Sequence, residues 1–439
     1  MSEWKKVKIG DFLTEREGRY KPDDSKISKY KRLDKIDFSG TIHISDKPTK
    51  TDMIIVHPGD LVISGINVAK GAVAVYQGNE PVCATIHYSS YTFDSSKVDL
   101  DYFKYFVKSP AFIAALQKQV KGGIKTEIKP KHLLPLEISI PDLQTQQEIV
   151  KKISLQLQKT EQLSVEIESQ KNYIKQLRQN ILQEAIEGKL TADWRKQNPV
   201  QKGNPDYDAE ALFEQIQKER NNEKKQKELS PITDEEKPFE IPDGWKWVRL
   251  GEICDGFMYG TSNKSVPSGK CPVLRMGNIQ DGKIDWEKLV YTNDSEEIEK
   301  YKLRKFDLLF NRTNSREMVG KTAIFDSEET AIYAGYLVRF HPIISNSYFI
   351  NIILNSKTHR EWCNSVKTDA LGQSNINAEK LKNFVVPLPP LKEQEEIVNK
   401  VETLLAKVTT LENQIQTRKS LSDKLIFGII KEDLEGDKE

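Results

Sequence analysis

The sequence predicts a mixed α+β chain in which two globular domains are separated by a long antiparallel pair of helices, a two-helix coiled-coil spacer. An internal repeat with pseudo-twofold symmetry supports this prediction. Residues 141–150 return as residues 389–398, and the same offset then holds without a gap through the rest of the helix. A weaker match precedes each copy, because residues 4–11 resemble residues 245–252. The order along the chain is therefore globule, helix, globule, helix.

Both globules read as mixed α+β domains. The first is predicted over residues 1–143, where short β-rich runs such as residues 60–63 alternate with turns rich in Gly, Asn and Ser. One helix-like apolar block follows at residues 102–107. The second globule, residues 241–390, repeats this composition and has its apolar block at residues 348–353.

The spacer helices are predicted over residues 144–195 and residues 391–439. Apolar residues recur in each at steps of four and three, without Pro or internal Gly between Thr145 and Gly188. The stripe contains Ile149, Ile153, Leu163, Ile167, Ile174, Leu177 and Ile181, and then Ile397, Val401, Leu404, Val408, Leu411, Ile415, Leu425 and Ile429. A stripe this narrow packs on one partner helix, which we expect to be the other copy. The outward polar faces and helix ends are then expected to bind partner proteins.

Polar residues interrupt both stripes. If the helices pair symmetrically about equivalent residues, Gln156 faces Ser422 and Thr160 faces Arg418, which would fix the register. The alternative is that these positions drift off the seam of a straight helix. The sequence leaves both interpretations open.

Residues 196–240 are predicted to form a polar connector. Prolines and a Lys/Glu-rich run dominate this segment. A helix is expected near residues 208–227, and it should lie on the surface because its composition offers little to bury.

Composition limits the classes of function. The 439 residues carry 30% charged side chains that cancel to a net charge of +1, so any nucleic-acid surface must be local. There is no apolar run of about 18 residues and no basic leader, which argues against a membrane location and favours the cytoplasm. The four cysteines are scattered, and we expect them to be reduced core thiols.

Catalytic and metal-binding motifs are weak. Residues 204–207 approach the Asn-Pro-Pro-aromatic loop of adenine methyltransferases but lack the second Pro and an upstream Gly-rich cofactor loop. Residues 320–322 match only the end of a phosphate-binding loop, since Ser315 stands where its first Gly belongs. The histidines have no metal-ligand spacing. We therefore expect neither a catalytic residue nor a metal site.

The remaining chemistry is recognition. The hairpin of residues 311–321 concentrates Arg, Asn, Ser and Lys, donors that read base edges or hold phosphates, and its counterpart at residues 64–71 differs in sequence. A second pair of loops, residues 121–126 and 371–375, has glycines ahead of a predicted helix. The competing interpretation of each loop is an ordinary solvated turn. The candidate DNA-binding residues are Ser64, Asn67, Lys70, Lys125, Asn311, Arg312, Asn314, Arg316, Lys321, Gln373 and Asn375.

Three segments carry a family resemblance. They are the duplicated Pro-x-Leu-x-x-Gln-x-Glu-Ile-Val motif, the run Glu-Gly-Lys-Leu-Thr-Ala-Asp-Trp-Arg at residues 187–195, and Ile-Pro-Asp-Gly-Trp-Lys-Trp-Val-Arg-Leu at residues 241–250. Over nearly its whole length the chain resembles the specificity subunit of type I restriction–modification enzymes.

The resemblance implies a non-catalytic subunit with two target-recognition domains, each reading one half of a split, asymmetric site in double-stranded DNA. It implies two modification (methyltransferase) subunits and two restriction (translocase/nuclease) subunits as partners, with no membrane association. S-adenosylmethionine, ATP and Mg are then expected in the partner subunits, and no cofactor in this chain. Because family members share little sequence within the recognition domains, no base contact transfers residue by residue.

Two alternatives differ in class. One is a stand-alone DNA-binding protein that works without enzymatic partners, which co-purification with a methyltransferase subunit would exclude. The other is an enzyme that methylates or cuts DNA by itself, against which the absent cofactor loop and catalytic acids weigh.

Overall fold

The computed structural model describes residues 4–38, 40–66, 72–107, 109–119, 129–221, 229–370 and 372–435. The chain divides into two compact units. The first unit consists of Met1–Glu168 and Gln416–Glu439, and the second consists of Ser169–Ile415. Both combine short antiparallel strands with helices, so the predicted mixed α+β class is confirmed.

The first unit contains ten strands and three helices and the start of a fourth among its described residues. They are β1 (Lys5–Lys8), β2 (Leu13–Glu15), β3 (Arg32–Ile36), β4 (Ile42–Ser45), β5 (Met53–Val56), β6 (Leu61–Ser64), β7 (Val73–Val75), β8 (Val82–Thr85), β9 (Tyr88–Phe93), α1 (Leu100–Phe106), α2 (Pro110–Gln119), α3 (Pro130–Leu133), β10 (Glu137–Ile140) and α4 (Leu143–Ile186).

The second unit contains the end of α4 and the remaining elements. They are α5 (Ala192–Gln197), α6 (Ala209–Asn221), β11 (Lys246–Arg249), α7 (Leu250–Ile253), β12 (Cys254–Tyr259), β13 (Cys271–Leu274), β14 (Ile279–Gln280), β15 (Lys283–Ile284), β16 (Val290–Thr292), α8 (Ser295–Tyr301), β17 (Asp307–Asn311), β18 (Thr313–Asn314), β19 (Thr322–Phe325), β20 (Ile332–Tyr333), β21 (Leu337–Pro342), α9 (Ser347–Ile353), α10 (Lys357–Val366), β22 (Thr368–Ala370), β23 (Gln373–Asn375), α11 (Ala378–Lys382), β24 (Val385–Leu388) and α12 (Leu391–Glu435), whose last turns belong to the first unit.

Equivalent strands are ordered identically in the two units. A four-stranded antiparallel sheet runs β2-β9-β6-β7 in the first unit and β12-β21-β17-β19 in the second. The outer pair β1-β10 corresponds to β11-β24, and the parallel pair β3-β8 corresponds to β13-β20. The internal repeat therefore extends through the globular parts, beyond the segments that sequence similarity detects.

In both units the corresponding four-stranded antiparallel sheet, β2-β9-β6-β7 or β12-β21-β17-β19, packs on a helix rich in aromatic and aliphatic side chains. In the first unit Phe103 of α1 contacts Phe12 edge-on, with ring centroids 5.4 Å apart, and is fully buried. In the second unit Phe349 and Ile350 of α9 are fully buried in the same core as Phe310. Burial of each such side chain contributes about 1.5–3 kcal/mol, which fixes the predicted apolar blocks as core helices.

A buried glutamine joins the start of each long helix to the globule that precedes it. Gln394 lies in the first turn of α12 and is fully buried. Its Nε2 donates to the carbonyl of Pro389 at 2.8 Å, and its Oε1 accepts the N–H of Asn346 at 2.8 Å. Asn346 in turn caps α9 by accepting the N–H groups of Tyr348 and Phe349. The helix start and the core helix are thus fixed to each other through one side chain.

The second half of α4 runs antiparallel to α12 within the second unit. Arg178 donates to both carboxylate oxygens of Glu412, at 2.9 and 2.6 Å, and to Thr409 Oγ1 at 3.0 Å. Beyond the end of α4, Lys400 Nζ donates to the carbonyl of Leu190 at 3.0 Å. Contacts move backwards along α12 as the chain advances, which defines the antiparallel direction. The guanidinium of Arg178 lowers the pKa of Glu412 below its usual value.

The first unit has the same direction of pairing. Arg418 lies 3.6 Å from Glu166, and Leu434 shares an apolar core with Ile153. The predicted register, with Thr160 opposite Arg418, is wrong, because Arg418 forms an ion pair with Glu166 while Thr160 donates its hydroxyl hydrogen to the carbonyl of Gln156 in its own helix.

The seam between the helices differs from the predicted stripe at three positions. Leu177, Leu411 and Leu425 are 42, 45 and 60% exposed. Arg178 points toward Glu412 one residue after Leu177, so an ion pair takes the place that the spacing assigned to a leucine. The buried seam residues are Ile153, Ile167, Ile174, Ile181, Ile397, Val401 and Val408.

A glycine ends the first long helix. Gly188 has φ of +71°, its N–H donates to the carbonyl of Ala185, and the N–H of Lys189 donates to that of Glu184. These two bonds form a Schellman cap. A Cβ at Gly188 would also lie 2.6 Å from Pro242, so the position excludes a side chain on two grounds.

Helix α6 lies within the predicted connector, but the prediction that it packs on the surface is wrong. Leu212 and Ile216 are fully buried in the core of the second unit. Their spacing of four residues puts both on one helix face, and a composition dominated by charge concealed this narrow apolar stripe.

Candidate nucleic-acid interface

The structure brings together two loops that the sequence offered separately. Strand β18 follows the predicted hairpin start and pairs with β23, with Thr313 opposite Asn375 and Asn314 opposite Ser374. Strand β22 pairs with the other edge of β23. The hairpin of residues 311–321 and the glycine-containing loop before β23 therefore share one small sheet in the second unit.

Asn311 and Arg312 stand where β17 ends. Asn311 is fully buried, and neither its amide nitrogen nor its amide oxygen has a hydrogen-bond partner among the described residues. Arg312 is half-buried, and its Cζ lies 4.6 Å from the centroid of the Tyr259 ring. Its Nη1 reaches the carbonyl of Gly335 at 3.5 Å, a long bond.

The other candidates of the hairpin differ in exposure. The Arg316 side chain is 77% exposed and lies 3.8 Å from Asp369, a screened surface pair of little energetic weight. Lys321 Nζ donates to Gln280 Oε1 at 2.9 Å, and Asn314 accepts the N–H of the following serine at 2.7 Å. The hairpin thus presents Arg316 as an exposed, weakly paired cation, and Lys321 and Asn314 as side chains already oriented by neighbours.

Strand β23 carries two further candidates. Gln373 is exposed, whereas Asn375 is half-buried and donates to Thr313 Oγ1 at 2.8 Å. The amide of Asn375 therefore helps to hold the two loops together.

The counterpart in the first unit is described only in part. Ser64 ends β6, is 5% exposed, and donates its backbone N–H to the carbonyl of Ala72 at 3.0 Å. Asn67, Lys70 and Lys125 lie outside the described residues.

Sequence reasoning missed three features. Tyr259 beside Arg312 lies 53 residues away in sequence and no local pattern connects them. Gln146 and Gln394 could have been found, because both copies of the repeat have glutamine at this position. Glu393 was missed as well: it is 1% exposed, accepts the Thr191 hydroxyl at 2.6 Å and the Trp245 Nε1–H at 2.7 Å, and forms an ion pair with Arg195.

The part of the chain that the structure describes contains no group of three or more His, Cys, Asp or Glu side chains arranged to hold a metal ion. None of its helices is both long and apolar enough to cross a membrane.

The chain contains two α+β units, each followed by a long helix, and the second unit carries polar and basic side chains on the small sheet β18-β23-β22 and its loops. This architecture defines a class of recognition proteins built from two repeats. The type I restriction modification DNA specificity domain matches residues 1–172 and 242–418. The chain therefore belongs to that family, whose members are recognition components and not catalysts. The predicted specificity subunit of a type I restriction–modification system is confirmed at this level.

Individual relatives agree with the family assignment. The chain is 27% identical to the type I restriction enzyme EcoKI specificity subunit of Escherichia coli strain K12, over 76% of this chain and 65% of that protein. It is 33% identical to the EcoAI specificity subunit of Escherichia coli, over 55% of this chain and 42% of that protein. The match thus spans less than two thirds of either relative. The HsdS subunit from Thermoanaerobacter tengcongensis shares the fold, with a TM-score of 0.55 at 16% identity and coverage of 99 and 97% of the two chains.

Proposed function

We propose that this chain binds a bipartite, asymmetric site in double-stranded DNA through two target-recognition domains and scaffolds the modification and restriction subunits of a type I system. One observation carries the proposal beyond family membership. The two globules share strand order, yet equivalent strands end in Ser64-Gly65 in one and Asn311-Arg312 in the other. Two domains with the same strand order but different residues at the strand ends suit the recognition of two different half-sites.

The recognition domains are proposed as residues 1–143 and 241–390, with residues 144–195 and 391–439 as spacer helices and residues 196–240 as connector. The burial of Leu212 and Ile216 supports treating part of the connector as packed against the second domain. A helix of 44 residues is about 66 Å long, a length suited to a spacer.

The DNA contacts are proposed by chemistry. In the second domain Arg312 and Arg316 carry guanidinium groups able to bond guanine O6 and N7, Lys321 suits a phosphate, and four amides suit adenine or phosphate. These amides belong to Asn311, Asn314, Gln373 and Asn375. In the first domain the proposed residues are Ser64, Asn67, Lys70 and Lys125, of which Ser64, at 5% exposure, contributes least.

Two modification subunits are proposed to dock on a duplicated apolar pair. Tyr173 and Leu177 of α4 are 66 and 42% exposed, and their repeat equivalents Leu421 and Leu425 of α12 are both 60% exposed. Exposed apolar side chains one helical turn apart suit an interface, and two equivalent pairs suit two copies of one partner. The outward polar faces and ends of the helices, expected from the sequence, stay part of the proposed docking surface. Two restriction subunits, and S-adenosylmethionine, ATP and Mg held by the partner subunits, stay predictions from the resemblance.

The docking proposal has a stoichiometric test. Leu421→Glu with Leu425→Glu should reduce the complex from two modification subunits to one, as native mass spectrometry measures. Leu155→Glu is the matched control, since Leu155 is 50% exposed on α4 and its repeat equivalent is Thr403. Loss of both subunits, or of neither, contradicts two equivalent docking pairs.

The recognition proposal is tested by sequencing DNA methylation in host cells with and without this gene. A split motif that disappears with the gene is the expected result. If the chain binds DNA but no motif depends on it and no methyltransferase co-purifies, the stand-alone DNA-binding alternative is correct.

A further inference from the structure

An arginine of the second unit is held against an aromatic ring while its backbone is fixed on both sides. The N–H of Arg312 donates to the carbonyl of Tyr336, and the N–H of Ile376 donates to the carbonyl of Arg312, both at 2.9 Å. The guanidinium Cζ lies 4.6 Å from the centroid of the Tyr259 ring, within the range of a cation–π contact. These two hydrogen bonds fix the backbone of Arg312, and the contact with the ring then restricts the orientation of its guanidinium.

The polar groups at this position have few partners within the chain. A guanidinium has five N–H donors. Among the described residues, the Arg312 guanidinium has one long hydrogen bond, from Nη1 to the carbonyl of Gly335, and its buried Nε has none. The amide of the preceding Asn311 is fully buried and also unpaired. The Arg312 guanidinium is only half-buried, so its remaining donors can reach an external partner.

Tyr259 is itself anchored. Its hydroxyl accepts the N–H of Ala378 at 3.1 Å at the start of α11, and the residue lies at the end of β12, opposite Val338 of β21. The side chain is nevertheless 41% exposed. The ring therefore forms a firm platform that is open on one side.

We propose that Tyr259 is a positioning residue that stacks on Arg312 and holds its guanidinium for bidentate hydrogen bonding to one guanine of the second DNA half-site. The proposal rests on the proposed function and names the base class that this domain reads. The planar edge of the Arg312 guanidinium presents two donors that match guanine O6 and N7. A phosphate would not require this geometry, because it accepts hydrogen bonds from any cationic side chain. In the first unit the equivalent of Arg312 is Gly65, so this device belongs to the second half-site alone.

The experiment uses the full chain with its modification subunits in cells, and reads methylation at every genomic site. Arg312→Ala should lower discrimination for guanine at one position of the second half-site about 10- to 100-fold. Tyr259→Ala should lower it about 3- to 10-fold at the same position. Tyr259→Phe keeps the ring and should stay within about twofold of the parent chain. The double variant Tyr259→Ala with Arg312→Ala should match Arg312→Ala, because the ring acts only through the arginine.

Three results would overturn the inference. One is uniformly slower methylation by Tyr259→Ala with unchanged base preference, which is the mark of a purely structural ring. Another is a change at a different base position from that of Arg312→Ala. A third is full discrimination by Arg312→Lys, since the compact ammonium lacks the planar guanidinium that stacks on Tyr259 and presents two fixed donors. If genomic methylation does not depend on this gene at all, the proposed function fails instead, so the two failures are distinguishable.

Discussion

Gln146 in the first unit and Gln394 in the second have equivalent hydrogen-bond partners, whereas the residues just before them differ in both identity and contacts. Each glutamine is fully buried, donates to the carbonyl of the proline five residues earlier, and accepts a backbone N–H from a helix cap, Asp99 or Asn346. The preceding residue is Thr145 in one copy and Glu393 in the other, and Glu393 forms a buried cluster with Thr191, Arg195 and Trp245. Both units therefore attach the long helix to the globule through the glutamine, and the Glu393 cluster strengthens this attachment in the second unit alone.

The cores differ in a related way. Ser109 caps α2 by accepting the N–H of Phe112 at 3.2 Å, and Ser356 caps α10 by accepting the N–H of His359 at the same distance. Phe112 and His359 are both buried, so a hydrocarbon ring in one unit corresponds to an ionisable ring in the other. Burial, with a smaller contribution from Arg360, lowers the pKa of His359 to about 3. The two units thus keep the side-chain hydrogen bonds that cap equivalent helices, while the buried side chains next to those caps differ.

The largest expected difference between the units comes from Glu393. Glu393→Ala removes the carboxylate that accepts from Thr191 and Trp245 and that pairs with the half-buried Arg195 guanidinium. We expect the free energy of unfolding of the second unit to fall by about 3 kcal/mol, because two buried donors lose their acceptor and an ion pair is broken. Thr145→Ala at the equivalent position of the first unit should cost less than about 1 kcal/mol. Hydrogen exchange resolved by peptide measures each unit separately, and equal losses would contradict the asymmetry.

The glutamines should instead behave alike. Gln146→Ala and Gln394→Ala each leave a buried carbonyl and a half-buried N–H unpaired, which we expect to cost about 2 kcal/mol in the unit concerned. The same exchange measurement compares them, each variant serving as the control of the other. A difference above about 1 kcal/mol would mean that the shared geometry hides unequal packing.

The sequence was sufficient for those features that repeat along it. The 248-residue offset predicted both long helices, and β-rich runs with polar turns predicted the class of the globules. Donor-rich side chains indicate the hairpin of residues 311–321, and a glycine ahead of a predicted helix indicates residues 371–375; the pairing of β18 with β23 brings these two loops together.

Long-range partners were beyond such reasoning. Leu177 was assigned to the seam because it continues an apolar spacing, but Arg178 takes that place by pairing with Glu412, 234 residues later in the chain. Tyr259 and Arg312 meet only because β12 and β17 flank β21 in one sheet. A pattern of residue types does not encode which distant charge or ring completes a contact.

Acid should affect the second unit more than the first through His359. A histidine of ordinary pKa near 6.5 in the unfolded chain and about 3 in the folded unit binds its proton preferentially when unfolded. Its contribution to stability is complete above pH 6.5 and falls by about 1.4 kcal/mol per pH unit below it, until the pH nears 3. His359→Phe, which copies Phe112, should remove this slope, as unfolding measured between pH 7 and 5 can detect. Phe112→His should transfer the slope to the first unit, and an unchanged slope in either variant would contradict the assignment.

The smallest expected difference concerns a buried aspartate that both units have. The basic side chains near this aspartate come from different parts of the sheet in the two units. Asp60 accepts the N–H of His57 and pairs with Arg16, which follows β2, at 2.6 Å. Asp307 accepts the N–H of Arg304 and lies 3.0 Å from His341 and 3.8 Å from Arg339, both on β21.

Removing one arginine should therefore matter more in the first unit. Arg16→Met keeps most of the aliphatic stem and takes away the short ion pair, so we expect a loss of about 1 kcal/mol. Arg339→Met removes a cation at a longer distance, and its Nε is already buried without a partner, while His341 stays beside Asp307. We expect its cost to be below about 0.5 kcal/mol. Hydrogen exchange of β6 and β17 compares the two, and the reverse order would mean that the stem of Arg339, and not its charge, stabilises the second sheet.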